Sequence, residues 1–194
     1  MMHPATELQF ISEEIGFGVF ARELIPRGTI TWAGDELDQH LTRERVAHLH
    51  PVCREAVLRY SYVDPTGVYV LSWDHGRYVN HSCDPNCLSA GFQFEFAIRN
   101  IAAGEQLTDD YGLMNLEEPM NCHCGSSNCR KIVRADDLTK CAPKWDALVR
   151  SSFPFIPRVD QPLWPLLDNA GELESIFRGV RPIPSCALHR WPRT

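Results

Sequence analysis

Three cysteines lie within eight residues, at Cys122, Cys124 and Cys129, and this cluster restricts the local fold more than any other feature of the sequence. The stretch 125–128 between the last two reads GSSN, which favours a tight turn that brings the sulfur atoms together. Structural zinc requires four thiolate or imidazole ligands in a tetrahedron, so the cluster lacks one ligand. The residues alone leave four candidates for it: Cys83, Cys87, Cys141 and His123.

The composition is that of a globular protein whose clustered cysteines favour metal binding. The chain has 194 residues, 44% of them hydrophobic, and eight cysteines. It contains no run of about 20 apolar residues, and its first residues lack the charged and apolar regions of a signal peptide. We therefore expect an intracellular protein without membrane association, cytoplasmic if bacterial and otherwise in the nucleus or on chromatin. In a reducing compartment, clustered cysteines bind metal more often than they form disulfides.

The charge balance bears on the partner. With 19 basic and 25 acidic residues, the net charge is −6. An acidic chain is poorly suited to hold nucleic acid through its phosphates, so we expect no direct nucleic-acid partner. A basic protein or a lysine-rich peptide is a better match. The sequence leaves the oligomeric state open.

Short β-prone segments joined by turns dominate the first 110 residues, which predicts a mainly β fold with short helices. The predicted strands lie at 8–11, 15–21, 29–32, 61–63, 68–73 and 91–98, and a turn at 64–67 predicts a hairpin. Residues 38–60 are interpreted as a helical insertion, with Asp38 or Thr42 as its cap and Pro51 interrupting its pattern. Residues 141–194 hold eight of the fourteen prolines and three of the five tryptophans. We expect this tail, with short helices at 145–149 and 172–177, to wrap the domain.

Segments in order along the chain resemble the SET-domain protein lysine methyltransferases. They are the glycine motif GFGVFA at 16–21, Gly34-Asp35, the signature RYVNHSCDPN at 77–86, the signature GEQLTDDYG at 104–112, and the cysteine motif at 122–130. The resemblance covers roughly residues 7–134. It implies a SET domain at 7–113 that contains the 38–60 insertion, a zinc-binding post-SET motif at 120–134, and an extension at 141–194 outside the family pattern.

The resemblance also implies a topology and a reaction. The family fold consists of several small sheets, and its C-terminal signature threads beneath a loop in a pseudoknot-like arrangement. S-adenosylmethionine would bind on one face and become S-adenosylhomocysteine, while a lysine side chain would enter a narrow channel from the other face. One structural zinc ion is implied. The implied substrate is a basic protein tail, with histones as the first expectation. The alternative is a catalytically weak or inactive binding module on the same fold that recognises a lysine-containing peptide.

The resemblance assigns roles to residues of this chain. Tyr111 would be the catalytic residue, beside the transferring methyl group. The implied cofactor-binding residues are Gly16, Phe17, Gly18, Arg77, Asn80, His81 and Tyr111, although Arg77 has a structural ion pair as its alternative role. Cys83 would complete the zinc site of Cys122, Cys124 and Cys129, which leaves Cys87 as a buried thiol.

Two positions depart from the family pattern. The family usually has Phe or Tyr where this chain has Asp109, and it often has a channel tyrosine where this chain has Trp32. Both residues are therefore predicted to line the lysine channel, and the number of methyl groups added stays open. Three tyrosines are candidates either for the peptide site or for ordinary strand packing: Tyr60, Tyr62 and Tyr69.

Overall fold

The computed structural model describes residues 1–192, in which short strands form several small sheets, so the predicted mainly β fold is confirmed. The strands are β1 (Thr6–Ser12), β2 (Gly16–Ala21), β3 (Ile30–Ala33), β4 (Gln39–Leu41), β5 (Tyr62–Val63), β6 (Tyr69–Leu71), β7 (Asn80–His81), β8 (Cys87–Leu88), β9 (Phe94–Ala97), β10 (Thr108–Asp109), β11 (Met120–Asn121) and β12 (Ile132–Val133). The sheets have the orders β1-β2, β3-β9-β8, β4-β6-β5, β7-β10 and β11-β12. The predicted hairpin at 64–67 joins β5 and β6 as an antiparallel pair.

Residues 106–109 are hydrogen-bonded to two parts of the loop at 80–86 that precedes them in the chain. β10 runs parallel to β7, with Asp109 opposite His81. The backbone N–H of Ser82 donates to the Asp109 carbonyl at 2.9 Å. Farther along the same loop, the Asn86 side chain donates to the Gln106 carbonyl and accepts from the Thr108 N–H, each at 2.8 Å. This is the threaded arrangement that the resemblance implied.

The helices are α1 (Arg43–Ala47), α2 (Pro51–Tyr60), α3 (Asp137–Ser152) and α4 (Ala170–Phe177). The 3-10 turns span His75–Tyr78, Tyr111–Leu113, Phe153–Arg158, Trp164–Leu166 and Cys186–His189.

The insertion at 38–60 is helical, but its details differ from the prediction. It begins with strand β4, and Thr42 is the cap of α1, because its side chain accepts a hydrogen bond from the Arg45 N–H at 3.1 Å. The Asp38 carboxylate instead accepts from the Trp73 N–H at 3.2 Å. Pro51 does not interrupt a helix but begins α2, where its missing N–H costs nothing.

The C-terminal extension shares the main core with the sheet β3-β9-β8. The buried cluster combines Ile30, Leu88, Phe94 and Phe96 of the sheet with Trp145, Val149, Phe153, Ile156, Leu173 and Ile176 of the extension. The Gln161 side-chain amide donates to the Gly28 carbonyl and its oxygen accepts from the Ile30 N–H, each at 2.8 Å. The extension therefore wraps the sheet, and it begins before residue 141, which lies inside α3.

None of the helices within residues 1–192 is both long and apolar enough to cross a membrane.

Candidate active site and metal centre

The parallel pairing of β7 with β10 brings Tyr111 next to His81. The Tyr111 backbone N–H donates to His81 Nδ1 at 3.1 Å, and the two rings lie 5.4 Å apart. The turn that begins at Tyr111 is fixed by Asp110, whose carboxylate accepts from the Gly112 N–H at 3.0 Å. The Tyr111 side chain reaches back, and its hydroxyl donates to the Val79 carbonyl at 2.7 Å.

Burial, reinforced by the charges of Asp109 and Glu95, raises the pKa of Tyr111 well above its ordinary value. The phenol therefore keeps its proton at neutral pH. A protonated hydroxyl orients an acceptor group or a transferring group and does not act as a base.

The glycine motif forms a concave face against Asn80. The Asn80 side-chain amide donates to the Phe17 carbonyl at 2.9 Å, and the Phe17 ring is 43% exposed beside it. A Cβ atom on Gly18 would lie 2.5 Å from Gln106 Nε2 and 3.0 Å from Asn80 Nδ2, so a larger residue there would displace these side chains. Gln106 Nε2 is itself a buried donor without a partner among the described residues. An exposed aromatic ring beside an unpaired hydrogen-bond donor suits a ligand that combines an apolar part with hydrogen-bond acceptors.

Arg77 is placed differently from the other expected cofactor residues. Its guanidinium donates to the backbone carbonyl of Trp73 and, at 3.1 Å, to that of Asp74. It also lines the large cavity described below. The side chain therefore stabilises its own turn, which is closer to the structural alternative than to a cofactor contact.

Four cysteines from two remote segments converge next to His81. The Cys83 and Cys122 sulfur atoms are 3.8 Å apart, the Cys122 and Cys129 sulfur atoms 3.6 Å, and Cys124 Sγ lies 3.5 Å from the Cys83 backbone nitrogen. A tetrahedral zinc with bonds of about 2.3 Å holds its sulfur atoms about 3.8 Å apart. Although burial opposes it, hydrogen bonds from the Cys83 N–H and from Ser126 lower the pKa of Cys124 to about 6. The donor set therefore fits zinc.

His81 is a candidate ligand that the sequence did not indicate. One ligand atom from each of His81, Cys83, Cys122 and Cys124 lies within 4.8 Å of the other three. His81 Nδ1 accepts from Tyr111, which assigns the ring proton to Nε2, the atom 3.3 Å from the Cys83 sulfur. A protonated nitrogen cannot bind metal, so the geometry favours the four cysteines as ligands and His81 as a donor to one of them.

The other candidates for the fourth ligand lie elsewhere. The Cys87 thiol is buried against Asn86 Oδ1 at 3.5 Å. The Cys141 sulfur lies 3.5 Å from Arg130 Nη1. Neither residue, nor His123, is part of the group of convergent ligand atoms found within residues 1–192. Cys129 also lies outside that group, but its sulfur atom is 3.6 Å from that of Cys122, which places it at the cluster.

A cavity of about 470 Å³ is lined by Tyr111 and by both residues expected in the channel, Trp32 and Asp109, and none of the four cysteines lines it. Its half-buried lining also includes Tyr62 and Glu95, and its exposed lining includes Leu58, Arg59, Glu117 and Glu118. Tyr60 and Tyr69 line the cavity as well. The cavity therefore has an acidic and aromatic interior and a partly acidic mouth.

Sequence reasoning missed two contributors to this cavity. Glu95 lies in the otherwise apolar strand β9, and a single charge in such a strand is the signal that would have singled it out. His189 comes from the C-terminal extension, where its Nε2 accepts from the Gly91 N–H at 3.0 Å. No local pattern marks His189, because only the path of the extension brings it to the cavity.

Comparison with known proteins identifies similarity to SET-domain proteins, several of which are histone-lysine N-methyltransferases. The family model described as SET domain matches residues 16–112. The histone-lysine N-methyltransferase ASHR3 of Arabidopsis thaliana is 30% identical over 129 residues, which cover 61% of this chain and 26% of the relative. Set2 of Drosophila melanogaster, also a histone-lysine N-methyltransferase, is 31% identical over 140 residues, which cover 62% of this chain and 6% of the relative.

The curated relatives are much longer than the matching region, since the chain spans 26%, 36% and 38% of three of them. Among solved structures, KRYPTONITE in complex with mCHG DNA and SAH is similar with a TM-score of 0.47 and 25% identity, covering 66% of this chain and 29% of that one.

Proposed function

The chain belongs to the SET-domain family, and from that premise we propose that it is an S-adenosylmethionine-dependent protein lysine N-methyltransferase. The proposed acceptor is a lysine of a basic protein tail, with histones as the first substrates to test, because the relatives are histone-lysine methyltransferases. One observation carries the proposal: Tyr111 is hydrogen-bonded to Val79 and His81, the neighbours of the Asn80 that contacts the glycine motif, and it also lines the cavity with the acidic interior.

The two faces suit the two reactants. The exposed Phe17 ring, Asn80 and the close approach at Gly18 fit S-adenosylmethionine, which supplies, when bound, a methyl group on a positively charged sulfur. The net charge of −6 and the carboxylates at the cavity mouth attract a basic peptide. The proposal includes one structural zinc on the four cysteines and an intracellular location, where thiols stay reduced.

The chain's own contribution is mainly alignment. A lysine amine has an ordinary pKa of about 10.4 and must be neutral to attack, and a cavity shielded from water disfavours its charged form. The Tyr111 hydroxyl, held by the Val79 carbonyl, is positioned to orient the amine toward the methyl group. Since burial raises its pKa, Tyr111 acts as an oriented dipole and not as a base.

The test is transfer of labelled methyl groups to mixed core histones and to cell extract. Tyr111→Phe should lower transfer by about a hundredfold or more, because the orienting hydroxyl is lost, while labelled cofactor still binds. Tyr60→Phe is the matched control, since it removes a hydroxyl from the same cavity. Cofactor binding without transfer to any of these substrates would contradict the enzyme and favour the binding module.

A further inference from the structure

The hairpin of β1 and β2 has one edge that faces another segment and one edge that does not. On the side of β2 away from β1, the Val19 carbonyl accepts from the Leu107 N–H at 2.8 Å. The N–H and C=O groups of successive residues in a strand point alternately to its two edges. Those of Gly18 and Phe20 therefore point from β2 toward β1.

The outer edge of β1 carries backbone groups without a partner. The residues of β1 opposite the two inward-pointing residues of β2 are Gln9 and Glu7, so their backbone groups are used inside the hairpin. Those of Leu8 and Phe10 point outward, and no backbone hydrogen bond joins them to another segment within residues 1–192. Leu8 is 41% exposed and Phe10 56%. An exposed apolar edge of this kind is a template on which another strand can pair.

The outward groups lie symmetrically about Gln9, which makes the edge complementary to itself. When two copies pair antiparallel with Gln9 opposite Gln9, Leu8 of each copy lies opposite Phe10 of the other. The outward groups then meet in hydrogen-bonded pairs, and four hydrogen bonds form between the copies. A register centred on Leu8 would instead place Phe10 opposite Thr6, whose N–H already donates to the His3 carbonyl at 3.0 Å.

The side chains favour the same register. Phe10 lies opposite Phe17 on β2, and their rings are 5.6 Å apart, so Leu8, Phe10 and Phe17 share one face of the hairpin. In the paired arrangement, Leu8 of each copy contacts Phe10 of the other, and the exposed Phe17 rings extend the apolar cluster on both sides. The three central residues at 8–10 carry no charge, so the register brings no like charges directly opposite each other.

We infer that the outer edge of β1 is a docking surface for a second copy of this chain. Two hairpins join around a two-fold axis into one sheet of order β2-β1-β1-β2, with the same surface used on both copies. The contact is small, so the dimer is weak and exchanges with the monomer. The inference is independent of methyl transfer, although it places two glycine motifs in one sheet, since Phe17 belongs to β2.

The dependence of mass on concentration and salt tests the inference with the full chain. Analytical ultracentrifugation from about 10 µM to about 1 mM should show the mass rising from one chain toward two, with half dimer at on the order of 100 µM. The charges of the hairpin are all acidic, at Glu7, Glu13 and Glu14, and repel across the axis. Raising sodium chloride from about 0.1 M to about 0.5 M should therefore lower the dissociation constant roughly threefold. A monomer at every concentration and both salt levels would overturn the inference.

Variants of the edge locate the contact. Phe10→Lys places a charge on the edge, and Leu8→Pro removes one outward N–H while leaving the bonds inside the hairpin. Each should raise the dissociation constant more than about tenfold. Val180→Lys is the matched control, because Val180 is 74% exposed and lies outside the hairpin. It should dimerise like the wild type. A dimer that persists in both edge variants, or is lost equally in the control, would contradict the assignment. Zinc content and thermal unfolding verify that each variant is folded.

A disulfide cross-link tests the register. Two Gln9 residues would form a non-hydrogen-bonded pair with Cα atoms about 4.5 Å apart, which a disulfide can span. Gln9→Cys, in a Cys53→Ser background that lacks the exposed native thiol, should give a covalent dimer with oxidised glutathione. Glu7→Cys should not, because the two Glu7 positions lie four residues, about 13 Å, apart along the paired strands. Equal cross-linking of both variants, or none of Gln9→Cys, would overturn the proposed pairing.

Discussion

The glycine-motif and cysteine side of Tyr111 and the cavity that Tyr111 lines are built from different kinds of sequence. On the first side, the contacts run between contiguous motifs, at 16–18, 80–83, 108–111 and 122–130, and many use backbone atoms. The cavity is lined instead by side chains from separate segments, and one of them, His189, belongs to the C-terminal extension. Motifs thus specify the first side locally, whereas packing of the whole chain shapes the second.

Zinc removal is the sharpest test of the motif-built side, and we expect it to have the largest effect. Cys83→Ser removes the ligand that joins the 80–83 motif to the 122–130 motif. Zinc should fall from about one ion per chain to a small fraction, and methyl transfer should fall by on the order of a hundredfold or more.

Cys87→Ser is the matched control, because its thiol lies outside the cluster and is buried against Asn86. It should keep the metal. Elemental analysis and labelled-cofactor binding measure both variants, and equal zinc loss in the two would refute the ligand assignment.

Asp110 links the 122–130 motif and the Tyr111 turn to the extension, so its removal tests how much the motif-built side depends on that connection. Its carboxylate accepts from Arg130 Nη1 at 3.0 Å, Trp145 Nε1 at 3.2 Å and the Gly112 N–H at 3.0 Å. Asp110→Asn removes the nearer of the two carboxylates paired with the partly buried Arg130, which keeps only Asp137 at 3.4 Å, and should lower the free energy of unfolding by roughly 3 kcal/mol. Urea denaturation measures this. Asp84→Asn, an exposed change in the neighbouring loop, should cost far less. Similar losses of unfolding free energy in both variants would show that the hydrogen bonds of Asp110 contribute no particular stability.

The stability that His189 of the extension contributes can be measured through its pH dependence. Burial lowers the pKa of His189 to about 4, from 6.5 in the unfolded chain, so the unfolded state binds the proton more readily between these values. Stability from neutral His189 is complete above pH 6.5 and is lost as the pH falls toward 4. Between pH 7 and pH 5 the loss should be about 2 kcal/mol.

His189→Gln supplies the reference, because glutamine offers an acceptor to the Gly91 N–H but does not titrate. The difference in unfolding free energy between this variant and the wild type should change by about 2 kcal/mol between pH 7 and pH 5. A difference that stays constant with pH would mean that His189 does not contribute in this way.

The smallest effect is expected at the link between the extension and the Tyr111 turn. Trp145→Phe keeps an aromatic ring but removes the hydrogen bond to Asp110, which should cost on the order of 1 kcal/mol. Trp164→Phe is the control on a partly exposed ring of the same extension. Thermal unfolding compares the two, and a larger loss at Trp164 would argue against the link.

The sequence predicted the motif-built side better than the cavity. The strands, the hairpin at 64–67 and the convergence of Cys83 with the cysteine motif were accessible, since each depends on turn-formers or on a recognisable pattern. Two alternatives that the sequence left open, Asp38 or Thr42 as the helix cap and a cofactor or structural role for Arg77, needed the structure to be compared. The Asp38 carboxylate is held by the N–H of Trp73, 35 residues away, which no local pattern reveals, whereas Arg77 donates to the Trp73 and Asp74 carbonyls of its own turn.

By itself, the sequence determined the family, the mainly β architecture and the candidate ligands and catalytic tyrosine, because these depend on short motifs whose residues act near one another. Only the tertiary structure decided how the cavity is lined. It placed Glu95 and Asp109 in the lining of one cavity, set Trp32 opposite Glu95 through strand register, and brought His189 around the sheet to Gly91. The physical reason is that burial and pairing of charges depend on every element packed around them, whereas a turn or a metal knuckle depends on a few neighbouring residues.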